Sequence, residues 1–315
     1  MASEEGRSRR WLRAAGLFAL VLALAVGQPL LLVVVPFGLL GFLVPTAHRK
    51  GLIIGAVLLG LAFVGAGSSG GWYLDRGWAI LIGGWFAAVT LAAPNRPFID
   101  RGLVAVGGSA IWATGVILLL DGWDRLERVV RMRVEESAAA TFELSTRIGG
   151  GGEESTMAEA VQRTAELQAT VFPALLALAS LAGLGAAWWL HQRLGEGSDR
   201  GLGSLAGFRF TDGLVWLLIG GLALVLTFGW AEGWGRLGTN VALFTGALYA
   251  LRGAGILLFM SGGVGWAGGI VTALALVFAA PVVLAGAMVV GLSDTWFDLR
   301  ARVARARTDD GRDDS

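Results

Sequence analysis

Cysteine is absent from all 315 residues, which excludes disulfides, thiolate metal sites and cysteine nucleophiles together. Charge is scarce: 16% of residues are Asp, Glu, Lys or Arg, against about 25% in ordinary soluble domains. The 25 basic and 24 acidic residues nearly cancel, so there is no electrostatic footprint for nucleic acid. Lysine occurs once, at Lys50, and the remaining 24 basic residues are arginine, a bias that fits a GC-rich genome and marks no site. Histidine occurs twice, at His48 and His191, each close to an arginine at an expected membrane edge, where interfacial solvation accounts for both. Enzyme motifs are missing as well. There is no HExxH, no GxSxG and no pair of aspartates within an apolar run, and the run Gly149 to Gly152 has no Lys-Ser or Lys-Thr after it. The expectation is a non-enzymatic protein with no cofactor and no metal site.

Apolar sequence is abundant instead. Hydrophobic residues make up 55% of the chain, and the mean hydropathy is +0.66. Nine apolar stretches fill most of it, several running 18 or more residues without a charge, about what a helix needs to cross a bilayer. A run such as Val271 to Leu292 cannot be a core helix of a soluble domain this size, because too little polar sequence lies nearby to cover it. The fold class expected is all-α: a polytopic membrane protein with eight to nine transmembrane helices and an extramembrane helical hairpin.

The regions follow from breaks in the apolar pattern. Residues 1–120 hold about five spans, near 11–27, 29–46, 51–66, 77–94 and 101–120. The breaks fall at Gln28 and Pro29, at the turn around His48, Arg49 and Lys50, at Gly67 to Gly71, and at Pro94, Asn95, Arg96 and Pro97. The basic leader Arg7, Arg9, Arg10 places the N-terminus in the cytoplasm and the protein in the inner (plasma) membrane. Residues 121–170 change period. Trp123, Leu126, Val130, Val134, Ala138 and Phe142, then Met157, Val161, Thr164, Leu167 and Val171, recur at helical steps between charged residues, as in two amphipathic helices. With ten acidic residues and six arginines, this hairpin suits the outer face. Residues 171–292 supply three to four more spans, near 171–191, 213–231, 237–260 and 266–292, with Phe208 to Asp212 as an interfacial foot. Residues 293–315 form a polar tail.

Two topology rules disagree at that tail. Nine spans from an internal N-terminus leave it outside, whereas Arg300, Arg302, Arg305 and Arg307 place it inside. Eight full spans resolve this, with the stretch around Arg252 or the one split by Pro281 crossing incompletely.

Arg252 is the ionisable residue standing well inside an apolar run. A guanidinium near mid-bilayer costs at least about 2.5 to 3.5 kcal/mol, so it pairs, lines a wet cavity or snorkels. Asn240, Thr245 and Tyr249 fall roughly on its side of the helix, and the four are the candidates to face a small-molecule ligand. The competing reading makes Arg252 the mark of a broken or re-entrant helix, with Gly253 and Gly255 just after it. No acidic residue falls inside a span, which argues against proton-coupled pumping. Glycine is frequent, at 49 residues, and Gly51 with Gly55 and Gly265 with Gly269 form small-xxx-small pairs suited to close helix packing or to a homodimer. Tryptophans such as Trp11, Trp72, Trp78, Trp188, Trp230 and Trp296 fall near span ends, like an aromatic belt.

FRFTDGLVW at 208–216, Asn240, LYALRGAGI at 248–256, Pro281 and GLSDTWFDLRAR at 291–302 together resemble the YybS-like family of multi-pass membrane proteins. The early turn with Pro45, Arg49 and Gly51 looks like the beginning of the same family. Its N-terminal half is similar in layout to the substrate-binding S components of energy-coupling-factor transporters and to the rod-shape protein MreD. The resemblance implies a helical core that holds a small solute, as part of a transport system, or that docks a membrane protein partner as an MreD-like scaffold. It transfers no catalytic residue. The extra C-terminal spans and the outer hairpin depart from S components.

Overall fold

Apolar runs of this length must satisfy their backbone internally, and only helices do so within a single segment. In the computed structural model every regular element among the described residues is helical. The structure describes residues 16, 19, 21, 28–43, 70–119, 128–132, 154–195, 204–261, 266–303 and 305. The chain divides into two compact units, Met1–Leu202 and Gly203–Ser315.

The first unit contains α1 (Leu31–Leu43), α2 (Gly70–Ala92), α3 (Phe98–Leu119) and α4 (Glu154–Gly195). Helix α1 packs on α2 and α4, and α3 packs on the same two helices. Small residues set these approaches: a Cβ on Gly183 would lie 2.7 Å from the Leu32 carbonyl, and one on Gly83 would lie 3.0 Å from the Pro36 backbone. The Pro94 to Pro97 turn separates α2 from α3, as expected. Helix α2 begins earlier than expected, because Gly70 and Gly71 are its first residues rather than a turn. First-turn amides have no intrahelical partner, so glycine is tolerated there.

Helix α4 runs 42 residues without a break, across Pro173. At 1.5 Å per residue that is roughly twice the hydrocarbon thickness. Gln162, Arg163, Thr164, Glu166, Leu167 and Gln168 are exposed, whereas Ala179, Leu184 and Ala187 are fully buried. The helix expected to run into the sixth span does so, and those side chains of its polar part are exposed, including Leu167, which the sequence places on an apolar face. Of the first hairpin helix only 128–132 is described; it is helical, with Val130 buried. The third span, His48 and the pairs Gly51 with Gly55 and Gly265 with Gly269 lie wholly or partly outside the described residues.

The second unit opens with a 3-10 turn (Leu205–Gly207), whose N-cap Ser204 accepts a hydrogen bond from the Gly207 amide at 3.1 Å. Then come α5 (Leu214–Phe228), α6 (Gly233–Met260) and α7 (Trp266–Phe297). Helix α6 is the centre, packed against α5, α7 and the 3-10 turn. It is continuous through Arg252, so that residue marks no break. Helix α7 kinks at Ala279 (φ −137°, ψ 31°), two residues before Pro281, whose ring displaces the preceding turn.

Four helices among the described residues are long and apolar enough to cross a membrane: Phe98–Leu119, Gln162–Leu194, Gly233–Met260 and Phe278–Phe297. Leu31–Leu43 and Leu214–Phe228 are shorter apolar helices. Large apolar side chains such as Ile111, Trp112, Leu119, Trp216, Leu226, Phe278 and Val282 lie on the outside, where hydrocarbon rather than water suits them.

Candidate functional site

Helix α6 sets Thr245, Tyr249 and Arg252 at i, i+4 and i+7, one stripe of a 3.6-residue helix. Asn240, twelve residues before Arg252, is rotated by about 120° from it. Helix α7 meets this stripe backbone to backbone. A Cβ on Gly253 would strike the Ala287 carbonyl, and one on Gly291 would strike the Tyr249 carbonyl. This close approach, possible only for glycine, brings Asp294, one turn after Gly291, against Arg252.

Arg252 is 2% exposed, and each of its three guanidinium nitrogens donates to a carboxylate oxygen. Its Nε and Nη2 both donate to Asp294 Oδ2, at 3.1 and 3.0 Å, and its Nη1 donates to Asp212 Oδ1 at 2.7 Å. Asp294 is buried as deeply as Arg252, whereas the Asp212 side chain, just before α5, is 63% exposed. The pair is thus closed on one side and open on the other. The Phe210 ring lies 5.5 Å from the guanidinium and packs edge-on against Tyr249 at 5.1 Å.

Arg300 brings a second buried cation. Its Nη2 donates to the carbonyls of Phe208 at 3.1 Å and Arg252 at 3.4 Å, tying the 3-10 segment to α6. Burial pushes its guanidinium below the ordinary arginine range, and Asp294 pulls the other way. Arg209 pairs with Asp298 at the exposed rim. Asp298 has φ 41°, a left-handed conformation that ends α7 and that aspartate tolerates better than most residues.

Two polar atoms in this cluster, Asp294 Oδ1 and Arg300 Nε, are buried without a hydrogen-bond partner, and the buried Tyr249 and Thr295 hydroxyls have no partner beyond one another. Buried polar atoms are almost always paired, since an unmade bond costs about 1 to 3 kcal/mol. A cluster of acceptors and hydroxyls with spare capacity beside an ion pair suits a small polar solute or water.

The structure brings Tyr249 and Arg252 together, while Thr245 and Asn240 each donate to a carbonyl of their own helix. Thr245 donates to the Val241 carbonyl at 2.7 Å and Asn240 to the Arg236 carbonyl at 2.8 Å. Three sequence readings need correction. Acidic residues do occur within membrane-length helices: Asp294 lies inside Phe278–Phe297, because α7 continues five residues past Leu292, to Phe297. Arg252 does not mark a broken helix: α6 runs unbroken for 28 residues, and its guanidinium meets Asp212 just before α5. His191 is not solvated at an interface but buried, its ring stacked on Trp188 at 5.7 Å. In the interfacial foot, Phe210 belongs to the core and Asp212 to the ion cluster. Asp212, Asp294, Phe210 and Arg300 were missed as site residues; the signal for the carboxylates was that a buried arginine demands them.

A family model described as "Predicted membrane protein (DUF2232)" matches residues 101–295, a stretch that contains Asp212, Arg252 and Asp294. No curated protein and no solved structure matches the chain.

Proposed function

The chain belongs to this family of predicted membrane proteins, and from that premise we propose that it is a non-enzymatic, multi-pass protein of the inner membrane that binds a small polar solute beside Arg252. In this reading it forms the membrane part of a transport system, with its N-terminus in the cytoplasm. The observation that carries it is the unpartnered Asp294 Oδ1 in the buried Arg252–Asp294 pair, beside the neighbouring Tyr249 and Thr295 hydroxyls, which bond to no group but each other. A solute with a hydrogen-bond donor for Asp294 and groups for the two hydroxyls would remove their desolvation cost on binding. Asp212, exposed on the other side of Arg252, gives the cluster a route to water. The likeness of residues 208–216, 248–256 and 291–302 to the YybS-like family supports placing the site here. Likewise, the likeness of the N-terminal half to transporter S components supports the transport role.

The experiment is purification of the full chain in mild detergent, followed by denaturing extraction and mass spectrometry of what is released. A small molecule recovered from the wild type and lost from Arg252→Ala and Asp294→Asn supports the reading. Recovery of the same molecule from both variants refutes it.

A second reading, an MreD-like scaffold that recruits cell-envelope or division proteins, is favoured by the exposed polar extension of α4 before Pro173. Its mark would be a protein partner that copurifies with the wild type and is lost when residues 121–170 are deleted.

A further inference from the structure

Arg101, the fourth residue of α3, is 4% exposed, yet its surroundings are unlike those of Arg252. Its guanidinium lies 4.3 Å from the Trp188 ring on α4 and 5.9 Å from the Phe86 ring on α2. Ring faces attract a cation but accept no N–H bond of ordinary strength. Nε has no hydrogen-bond partner, and among the described residues no carboxylate neutralises the charge; even the adjacent Asp100 makes no ion pair with it. A buried guanidinium without a counter-charge is among the more expensive things a fold can hold.

A second buried group points the same way. Thr90 stands one turn after Phe86 on α2 and is 4% exposed, and its hydroxyl also lacks a partner. Residues 90 and 101 are each four residues from the Pro94 to Pro97 turn, so the α2–α3 hairpin sets them at the same height. The same end of the unit holds His191, stacked on Trp188. These groups provide a cation, a hydroxyl donor and a rigid aromatic platform at one end of two apolar helices, and among the described residues no carboxylate pairs with the cation.

We propose that Arg101, seated on Trp188 and Phe86 and assisted by Thr90, binds a phosphate group, carried either by a lipid headgroup or by a free anion. The planar guanidinium offers parallel N–H bonds that match two phosphate oxygens, and the rings fix its plane. The site lies in the first unit and stands independently of the solute reading for the second.

The test uses the full chain, delipidated in neutral detergent, and follows thermal unfolding. The probes are a short-chain phosphatidylglycerol against a chain-matched uncharged glycolipid, and inorganic phosphate against chloride at equal ionic strength. A phosphate-bearing probe near a hundred times its dissociation constant should raise Tm by about 4 °C or more, and Arg101→Gln should abolish most of that rise. A rise with phosphatidylglycerol alone identifies a lipid headgroup as the source; a rise with inorganic phosphate as well identifies a site for free anions. No phosphate-dependent rise in the wild type, or an equal rise in Arg101→Gln, overturns the proposal. Should Arg101→Gln fail to fold, Arg101→Lys keeps the charge but loses the fork and the stacking. It should then bind about tenfold more weakly, and unchanged binding would likewise overturn the site.

Discussion

Arg252 and Asp294 are joined by two hydrogen bonds that converge on a single oxygen: Nε and Nη2 both meet Oδ2, while Oδ1 is buried with no partner. Removing either residue leaves the other charge buried, which typically costs about 3 to 5 kcal/mol. Arg252→Met and Asp294→Leu should each destabilise the protein to about that extent, and the double variant should be less destabilised than either single one. Unfolding of the four proteins in a detergent titration measures the coupling. Strict additivity would show that the pair does not act as a unit.

Asp212 bonds the same guanidinium but from an exposed position. Solvent screens such a contact, so Asp212→Asn should cost about 1 kcal/mol or less and should leave the Arg252–Asp294 pair intact. The same unfolding titration checks it. A loss as large as that of Asp294→Leu would mean that Asp212 is buried in the working protein.

Tyr249→Phe separates packing from binding. The ring packs on Phe210, and the hydroxyl has no partner beyond the Thr295 side chain. Phenylalanine keeps the ring and removes a polar atom whose desolvation costs about 1 to 3 kcal/mol. The solute-free protein should be as stable as the wild type or more so, while the amount of small molecule recovered should fall. A clear loss of stability together with full recovery would show that the hydroxyl is bonded within the protein.

Among the described residues the helix positions were largely legible, because lipid leaves an apolar run no alternative to a helix. The two prolines of the Pro94 to Pro97 turn end a helix, and Pro281 accompanies a kink, whereas α4 runs unbroken across Pro173. The ion cluster was not legible for a related reason. A span read from apolarity ends at Leu292, so Asp294 fell into the tail, although the helix continues to Phe297. Asp212 and Asp294, at the edges of the flanking apolar runs, were the acids within reach of a buried arginine. Nothing in the linear sequence showed that Arg101 and Trp188, 87 residues apart, would meet.

The glycines make the sharpest packing prediction, since they differ in what surrounds them. At Gly253 and Gly291 an added methyl group would meet the opposing backbone of α7 or α6, which cannot rotate away, so the two helices would have to part. Overpacking of this kind costs about 1 to 3 kcal/mol. Here it would also draw Asp294 away from Arg252. At Gly220 on α5 and Gly286 on α7 nothing lies within 4 Å of the same methyl group, and alanine there should be neutral or stabilising by up to about 1 kcal/mol. Gly253→Ala and Gly291→Ala should therefore lower the unfolding midpoint and release the bound small molecule, while Gly220→Ala and Gly286→Ala do neither. Equal behaviour of the two pairs would mean that α6 and α7 do not touch at Gly253 and Gly291.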